Sequence, residues 1–255
     1  MIKRFPVCAT LLASLSLVLA GALSAPARTI TDMRGKQVTL PDKLSRVATI
    51  DDGFVEGVMT NLGVIDSVDM IGSWSMKRDY KYTFEGENGE TWQHSGWNTM
   101  KFLHPWLNDK VCVNSPQGNV INFEALAAGN PEAVILRLGD CTVGAGNREA
   151  ADRTVETIEA LGLPLVVLYA PTWFKSSDLS SMKEEGRVIG AMFGMEEKAV
   201  ALMDHLADTE RLIRERTKDI PDGEKTRVLY LGLNPNIRKN GGAGTAHGVD
   251  TPESY

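Results

Sequence analysis

Positive charge is scarce in this sequence: Lys and Arg total 27 against 33 Asp and Glu, a formal net charge of -6. Surfaces for nucleic acid or for anionic lipid concentrate cations to meet phosphate, so neither partner is expected. Histidine is scarcer still. His94, His104, His205 and His247 stand far apart, which disfavours a bare metal ion held by the protein alone. Catalytic signatures are also missing: there is no G-x-S-x-G elbow, no P-loop and no H-E-x-x-H, and GGAG at 241–244 is a lone glycine cluster. No catalytic residue, metal site or resident cofactor is therefore assigned. An enzyme stays open as the less favoured class, because an α/β sheet hosts many chemistries.

The N-terminus carries a long apolar run, CATLLASLSLVLAGAL, preceded by the basic MIKRF and followed by the small-residue site APA. Such a run is too short to span a bilayer comfortably and has the order of a secretory signal. Residues 1–27 are read as that signal, with an uncleaved anchor as the alternative, and the mature protein is expected in the periplasm. Losing Lys3 and Arg4 takes the balance to 25 basic against 33 acidic residues. Of three cysteines, Cys8 departs with the leader and has the wrong neighbours for lipid attachment. Cys112 and Cys141 remain in an oxidising compartment, where a disulfide is favoured over two free thiols. Closing that loop would contribute about 3 to 4 kcal/mol in the chain-entropy model.

Beyond the leader the chain is rich in short apolar runs. TITD and QVTL flank the turn MRGK as a small hairpin. Then come RVATI (46–50), VDMIG (68–72), VCV (111–113), AVILRL (133–138) and LVVLY (165–169), separated by helical patterns near 54–62, from Asn122, and near 148–161. Buried strands alternating with helices predict an α/β domain: a mostly parallel sheet covered on both faces. Ligand crevices of such sheets lie outside the carboxyl ends of the strands. The loops so placed carry Trp74, Arg137 and Trp173. Arg137 there would hold a carboxylate, an oxyanion or an anionic chelate in bidentate fashion, or else form an internal ion pair.

Two segments interrupt the rhythm. Residues 73–110 hold many aromatics without a sustained period, which marks either a functional loop or an insertion packed on its own mini-core. Tyr80, His94 and Trp97 are its candidates for reaching over the crevice. Residues 177–218 read as a long helical stretch, roughly 40 to 60 Å as one bent helix or two end to end. Gly186, Gly190 and Gly194 recur every fourth residue, a bare stripe that permits close backbone approach and makes a break near Gly194 plausible. TRVLYLGL (226–233) begins a further strand and a polar tail ends the chain, so a second lobe is expected to be incomplete.

The pieces TITDMRGKQVTLP with RVATI, LGVIDSVDMIG, NFEALAAGNPEAVIL, IEALGLPLVVL, and VIGAMFGMEEKAVALM before RVLYLG are similar, in this order, to the periplasmic substrate-binding proteins of ABC importers for iron-siderophore, haem and cobalamin. That resemblance covers about residues 29–233. It implies an N-terminal ligand-binding lobe over 28–175, an interlobe helix over 176–219, and the start of a C-terminal lobe over 220–255. It implies a monomer that captures a metal chelate, ferric siderophore-like, and delivers it to an ABC importer permease, with a molybdate, tungstate or cobalamin binder as the alternative. Metal enters only inside the chelate. Glu124 occupies the position of a glutamate that docks on the permease. Asn122 can cap its helix and the dipole favours a carboxylate there, so Glu124 either docks or merely stabilises the helix.

Overall fold

The computed structural model describes residues 27–86, 88–115, 120–139, 143, 147–174 and 180–226, with two short strands at Leu231–Gly232 and Thr245–Ala246. Residues 1–26 of the leader, Cys141 and most of the tail lie outside the described residues. No described helix is long and apolar enough to cross a membrane.

Strands β1 (Ala27–Thr31) and β2 (Gln37–Pro41) form the expected antiparallel hairpin, closed where Gly35 takes φ 79. Its turn is organised by Asp32, a buried carboxylate that accepts from the backbone N–H of Arg34 (2.9 Å), Lys36 (3.2 Å) and Val167 (3.1 Å). The N–H of Met33 donates to the Val167 carbonyl at 3.2 Å. The hairpin is thereby fastened to a strand far along the chain.

The elements then run β3 (Val47–Ile50), α1 (Phe54–Leu62), β4 (Val68–Ile71), β5 (Asp79–Glu85), β6 (Thr91–Trp97), α2 (Thr99–Leu103), β7 (Val111–Cys112), α3 (Phe123–Gly129), β8 (Ala133–Leu138), α4 (Arg148–Ala160), β9 (Leu165–Tyr169), α5 (Pro171–Phe174), α6 (Ser180–Met192) and α7 (Glu196–Thr217). The main sheet is five parallel strands in the order β7-β4-β3-β8-β9. Alternation along each strand divides the core into two layers. Val47, Ala133, Ile135, Val166 and Leu168 pack with α1 and α6, while Ala48, Ile50, Val134, Leu136 and Val167 pack with the α3 and α4 side. The order reverses between β3 and β8, and that is where a doubly wound sheet opens its crevice.

Residues 73–110 hold a second hairpin that the lack of a sustained period did not predict. Strands β5 and β6 pair in register from Asp79↔Trp97 to Glu85↔Thr91. Described side chains of this second hairpin stand in solvent, Trp92 at 64% and Trp97 at 51% exposure, while those of Tyr80, Tyr82, Phe84 and His94 lie outside the description. Met76, Met100 and Leu107, from the short helical turns on either side, instead enter the main core.

The long helical stretch expected over 177–218 is neither one bent helix nor two end to end: α6 and α7 pack antiparallel. Gly194, at φ 68, ends the first helix, and the N–H of Met195 closes the turn on the Gly190 carbonyl at 2.8 Å. Chain direction reverses there, and α7 returns along α6. The glycine stripe explains the contact: a Cβ on Gly186 would lie 2.4 Å from Met203 Cγ, and one on Gly190 would lie 2.5 Å from Ala199 Cβ. Val188, Ile189 and Met192 are fully buried, so α6 belongs to the body of the sheet domain. Lys198 reaches the carbonyl of Leu62 at the far end of α1 (3.1 Å), and Asp204 meets Lys183 near the start of α6 (2.6 Å). Helix α7 therefore climbs toward the carboxyl ends of the strands and continues past them. Its last three to four turns add roughly 20 Å at 1.5 Å per residue, laced on their surface by Arg211 with Asp208 and Glu215 and by Arg214 with Glu210.

Candidate functional site at the strand tips

The carboxyl ends of the five strands deliver Asp51 and Asp52 after β3, Ser73 and Trp74 after β4, Asn114 after β7, Arg137 near the end of β8, and Tyr169 with Trp173 after β9. Trp74 and Trp173 follow strands three positions apart in the sheet, a separation of roughly 14 Å at 4.8 Å per strand. The indole N–H of Trp74 donates to the Asn114 carbonyl, and Arg78 lies 5.8 Å from its ring centroid. Trp173 stacks on Tyr169 at 5.1 Å and is covered by Arg148 at 4.6 Å, whose Nη2 also donates to the Trp173 carbonyl. Trp97 stacks on Phe102 at 5.9 Å, out on the second hairpin and exposed. Tyr80 and His94 sit on the same hairpin, opposite Gly96 and Tyr82, with their side chains outside the description.

Arg137 takes the ion-pair alternative. Its strand parity places it with Ala133 and Ile135 on the face covered by α1 and α6, where a cation needs partners. Glu185 of α6 supplies two oxygens, one to Nε and one to Nη2 at 3.1 Å. Asp51 lies 3.5 Å from Nη1, and the guanidinium rests 4.3 Å from the Phe54 ring centroid. Asp51 also accepts from the N–H of Val55 at 2.8 Å and so caps α1. Burial pushes the Glu185 carboxyl up to about 7, against the pull of Arg137 and with Asp51 adding to the rise.

Two residues that pattern reasoning missed complete the cluster. Glu56, one turn into α1, is fully buried with no hydrogen-bond partner on either carboxyl oxygen. Desolvation, with the charge of Asp51 next, pushes it to about 8; Thr49 and its own backbone offset part of this without reaching hydrogen-bond geometry. Asp52 stands at the rim, where the hydroxyls of Ser73 and Ser75 donate to it and Asn98 Nδ2 donates to Ser75 at 2.9 Å. Its carboxyl is raised by desolvation, which outweighs those bonds. Among the described residues no cluster of His, Cys, Asp or Glu is placed to hold a metal ion.

Glu124 lies in the first turn of α3, exposed, with Asn122 Oδ1 accepting the N–H of Ala125 at 2.9 Å as the cap. The N–H of Asn122 donates to the Val113 carbonyl at 2.7 Å, so this turn sits at the strand-tip end of the sheet. Cys112 is a half-buried free thiol directed at the Asn114 carbonyl, and the expected bridge to Cys141 falls outside the described residues.

No protein-family model and no curated protein sequence matches the chain. Solved structures do. A periplasmic solute binding protein from Veillonella parvula superposes with a TM-score of 0.57 at 20% identity, covering 81% of this chain and 52% of that one. This is the fold of the periplasmic solute-binding proteins. The catecholate-siderophore binding protein VctP from Vibrio cholerae matches at 0.55 and 15% identity, over 90% of this chain and 64% of that one. The molybdate binding protein MolA from Haemophilus influenzae matches at 0.54 and 17%, over 78% and 56%. The chain spans about half the length of the first of these structures.

Proposed function

We propose that this chain is the N-terminal ligand-binding part of a periplasmic solute-binding protein that captures a metal chelate and passes it to an ABC importer permease, without chemistry of its own and without a resident cofactor. One observation carries the reading: α7 rises past the same sheet end at which all five strands open, so whatever it supports faces the strand tips. On this reading a second body carried by α7 would close a crevice flanked by Trp74 and Trp173, at a spacing that suits a chelate. Glu124 supports the permease role, since it is exposed beside the crevice and has no ion-pair partner among the described residues. An oxyanion such as molybdate is the weaker reading, because the guanidinium that would receive it is held by Glu185 and Asp51.

Titrating the chain and a version extended by a second lobe with ferric siderophores, haemin, cobalamin and molybdate, followed by tryptophan fluorescence, tests this. Saturable quenching by a chelate is expected. Silence toward all four in both proteins, together with turnover of any substrate, would overturn it in favour of an enzyme.

A further inference from the structure

Two open edges run the length of the second hairpin. Strands β5 and β6, seven residues each, pair only with one another among the described residues, and a two-stranded ribbon in water is marginally stable without a third strand or a cover. Something is expected to complete it. The Gly86 N–H donates to the Glu90 carbonyl at 2.7 Å, and alternation from that pair joins Phe84 to Trp92 and Tyr82 to His94 through the backbone. The backbone groups of Thr91, Gln93, Ser95 and Trp97 therefore face outward from β6, with no hydrogen-bond partner among the described residues. Exposed edges are commonly guarded by charge or by proline. β5 holds Asp79, Lys81 and Glu85, whereas β6, TWQHSGW, holds no Asp, Glu, Lys, Arg or Pro.

We propose that the outer edge of β6 is an interface between two copies of this chain, paired antiparallel about a two-fold axis at His94. The two-fold sets Gln93 opposite Ser95 and Thr91 opposite Trp97 as hydrogen-bonded pairs, and no like charges meet. Trp92, largely exposed, then falls opposite Gly96 in the closer kind of pair, where the bare glycine leaves room for an indole. Each strand supplies both the ring and its gap. The same operation on β5, about Tyr82, opposes Asp79 to Glu85 twice, so that edge repels its own copy. Pairing β5 of one copy with β6 of the next is heterologous and leaves an edge open at each end, whereas the β6 pairing closes at two chains.

Antiparallel pairing also carries each acidic tip, with Glu85 and Glu90, toward the base of the other hairpin, where Lys77, Arg78 and Lys101 stand. The signs are complementary. Covering Trp92 and Trp97, with the exposed Phe102 and Leu103 of α2 beside that base, would bury about 1,000 Å² across the pair, at the threshold for a specific contact. A weak dimer follows, in place of the monomer implied by the resemblance.

Sedimentation equilibrium on the chain and on its two-lobed version, from about 1 to 200 μM, tests this. Both should dimerise with a Kd of about 10 μM, as an interface of that size allows. Gln93→Lys with Ser95→Lys sets lysines opposite each other across the axis, and Gln93→Glu with Ser95→Glu does the same with carboxylates. Each double variant alone should associate about tenfold more weakly, and an equimolar mixture of the two should recover the parent's affinity. That recovery also shows both variants to be folded. A parent monomeric in either form overturns the proposal, the edge then being covered by another part of the longer protein or by a different partner. Association that neither variant weakens, a mixture that fails to recover, or an open series of larger species overturns it as well. None of these outcomes touches the solute-binding reading.

Discussion

Glu56→Gln tests the electrostatic reading through stability alone. In the folded protein the Glu56 carboxyl titrates near 8, against an ordinary 4.5. The folded state therefore binds this proton more tightly than the unfolded chain. The contribution is fully present below pH 4.5, erodes as pH climbs, and is gone above 8. Full ionisation corresponds to a loss of roughly 5 kcal/mol, and at pH 7 the loss is about 3 kcal/mol. Gln mimics the protonated acid in shape and keeps it neutral at every pH. The variant should match the parent near pH 4.5 and exceed it by about 5 kcal/mol at pH 9, flattening this part of the stability profile. Urea melts at pH 4.5, 7 and 9 read the difference directly. A variant less stable than the parent at pH 9 would mean that Glu56 is ionised and well partnered, and that burial does not govern its proton.

Arg137→Ala should destabilise by about 3 to 5 kcal/mol, since it strands Glu185 and Asp51 as buried charges, whereas Arg137→Met combined with Glu185→Leu should cost much less; chemical melts of the single and double variants check this. Gly190→Val sets a side chain where only 2.5 Å separates the new Cβ from Ala199. It should prise α7 from α6 at a cost of about 1 to 3 kcal/mol, seen as faster proteolysis within α7. Glu124→Ala should leave stability within about 0.5 kcal/mol and ligand affinity unchanged while abolishing uptake by cells; unimpaired uptake would reduce Glu124 to a helix residue.

Much of the sheet was legible because its strands are short and apolar on both faces and alternate with helical patterns, as a covered parallel sheet requires. RVATI, AVILRL and LVVLY each fall on a strand of the five. The second hairpin carried a readable signal as well. DYKYTFE alternates polar with aromatic residues, and GENGE supplies its turn, but the count of aromatics drew attention away from their spacing. The stripe at Gly186, Gly190 and Gly194 pointed correctly to close approach and a break, yet the fold-back needed the positive φ of Gly194, which no spacing specifies. Parity along β8 was sufficient to place Arg137 on a covered face and so demand acidic partners. Which acids answer was not readable, because Glu185 sits 48 residues away in a run that looks like ordinary solvated charge. Glu56 was hidden for a different reason: a glutamate in a first helical turn is so common that only the packing reveals its isolation.

The hydrogen bonds from Asp32 and Met33 to Val167 have a bearing on crowding. A bare outer strand invites a neighbouring molecule to continue the sheet, and such stacking seeds fibres. Here the tip of the first hairpin occupies the Val167 amide and carbonyl on β9, and the opposite margin, β7, is only two residues long. Neither margin of the five-stranded sheet therefore offers a stranger a long run of free amides among the described residues, and strand-by-strand growth from those two margins is blocked.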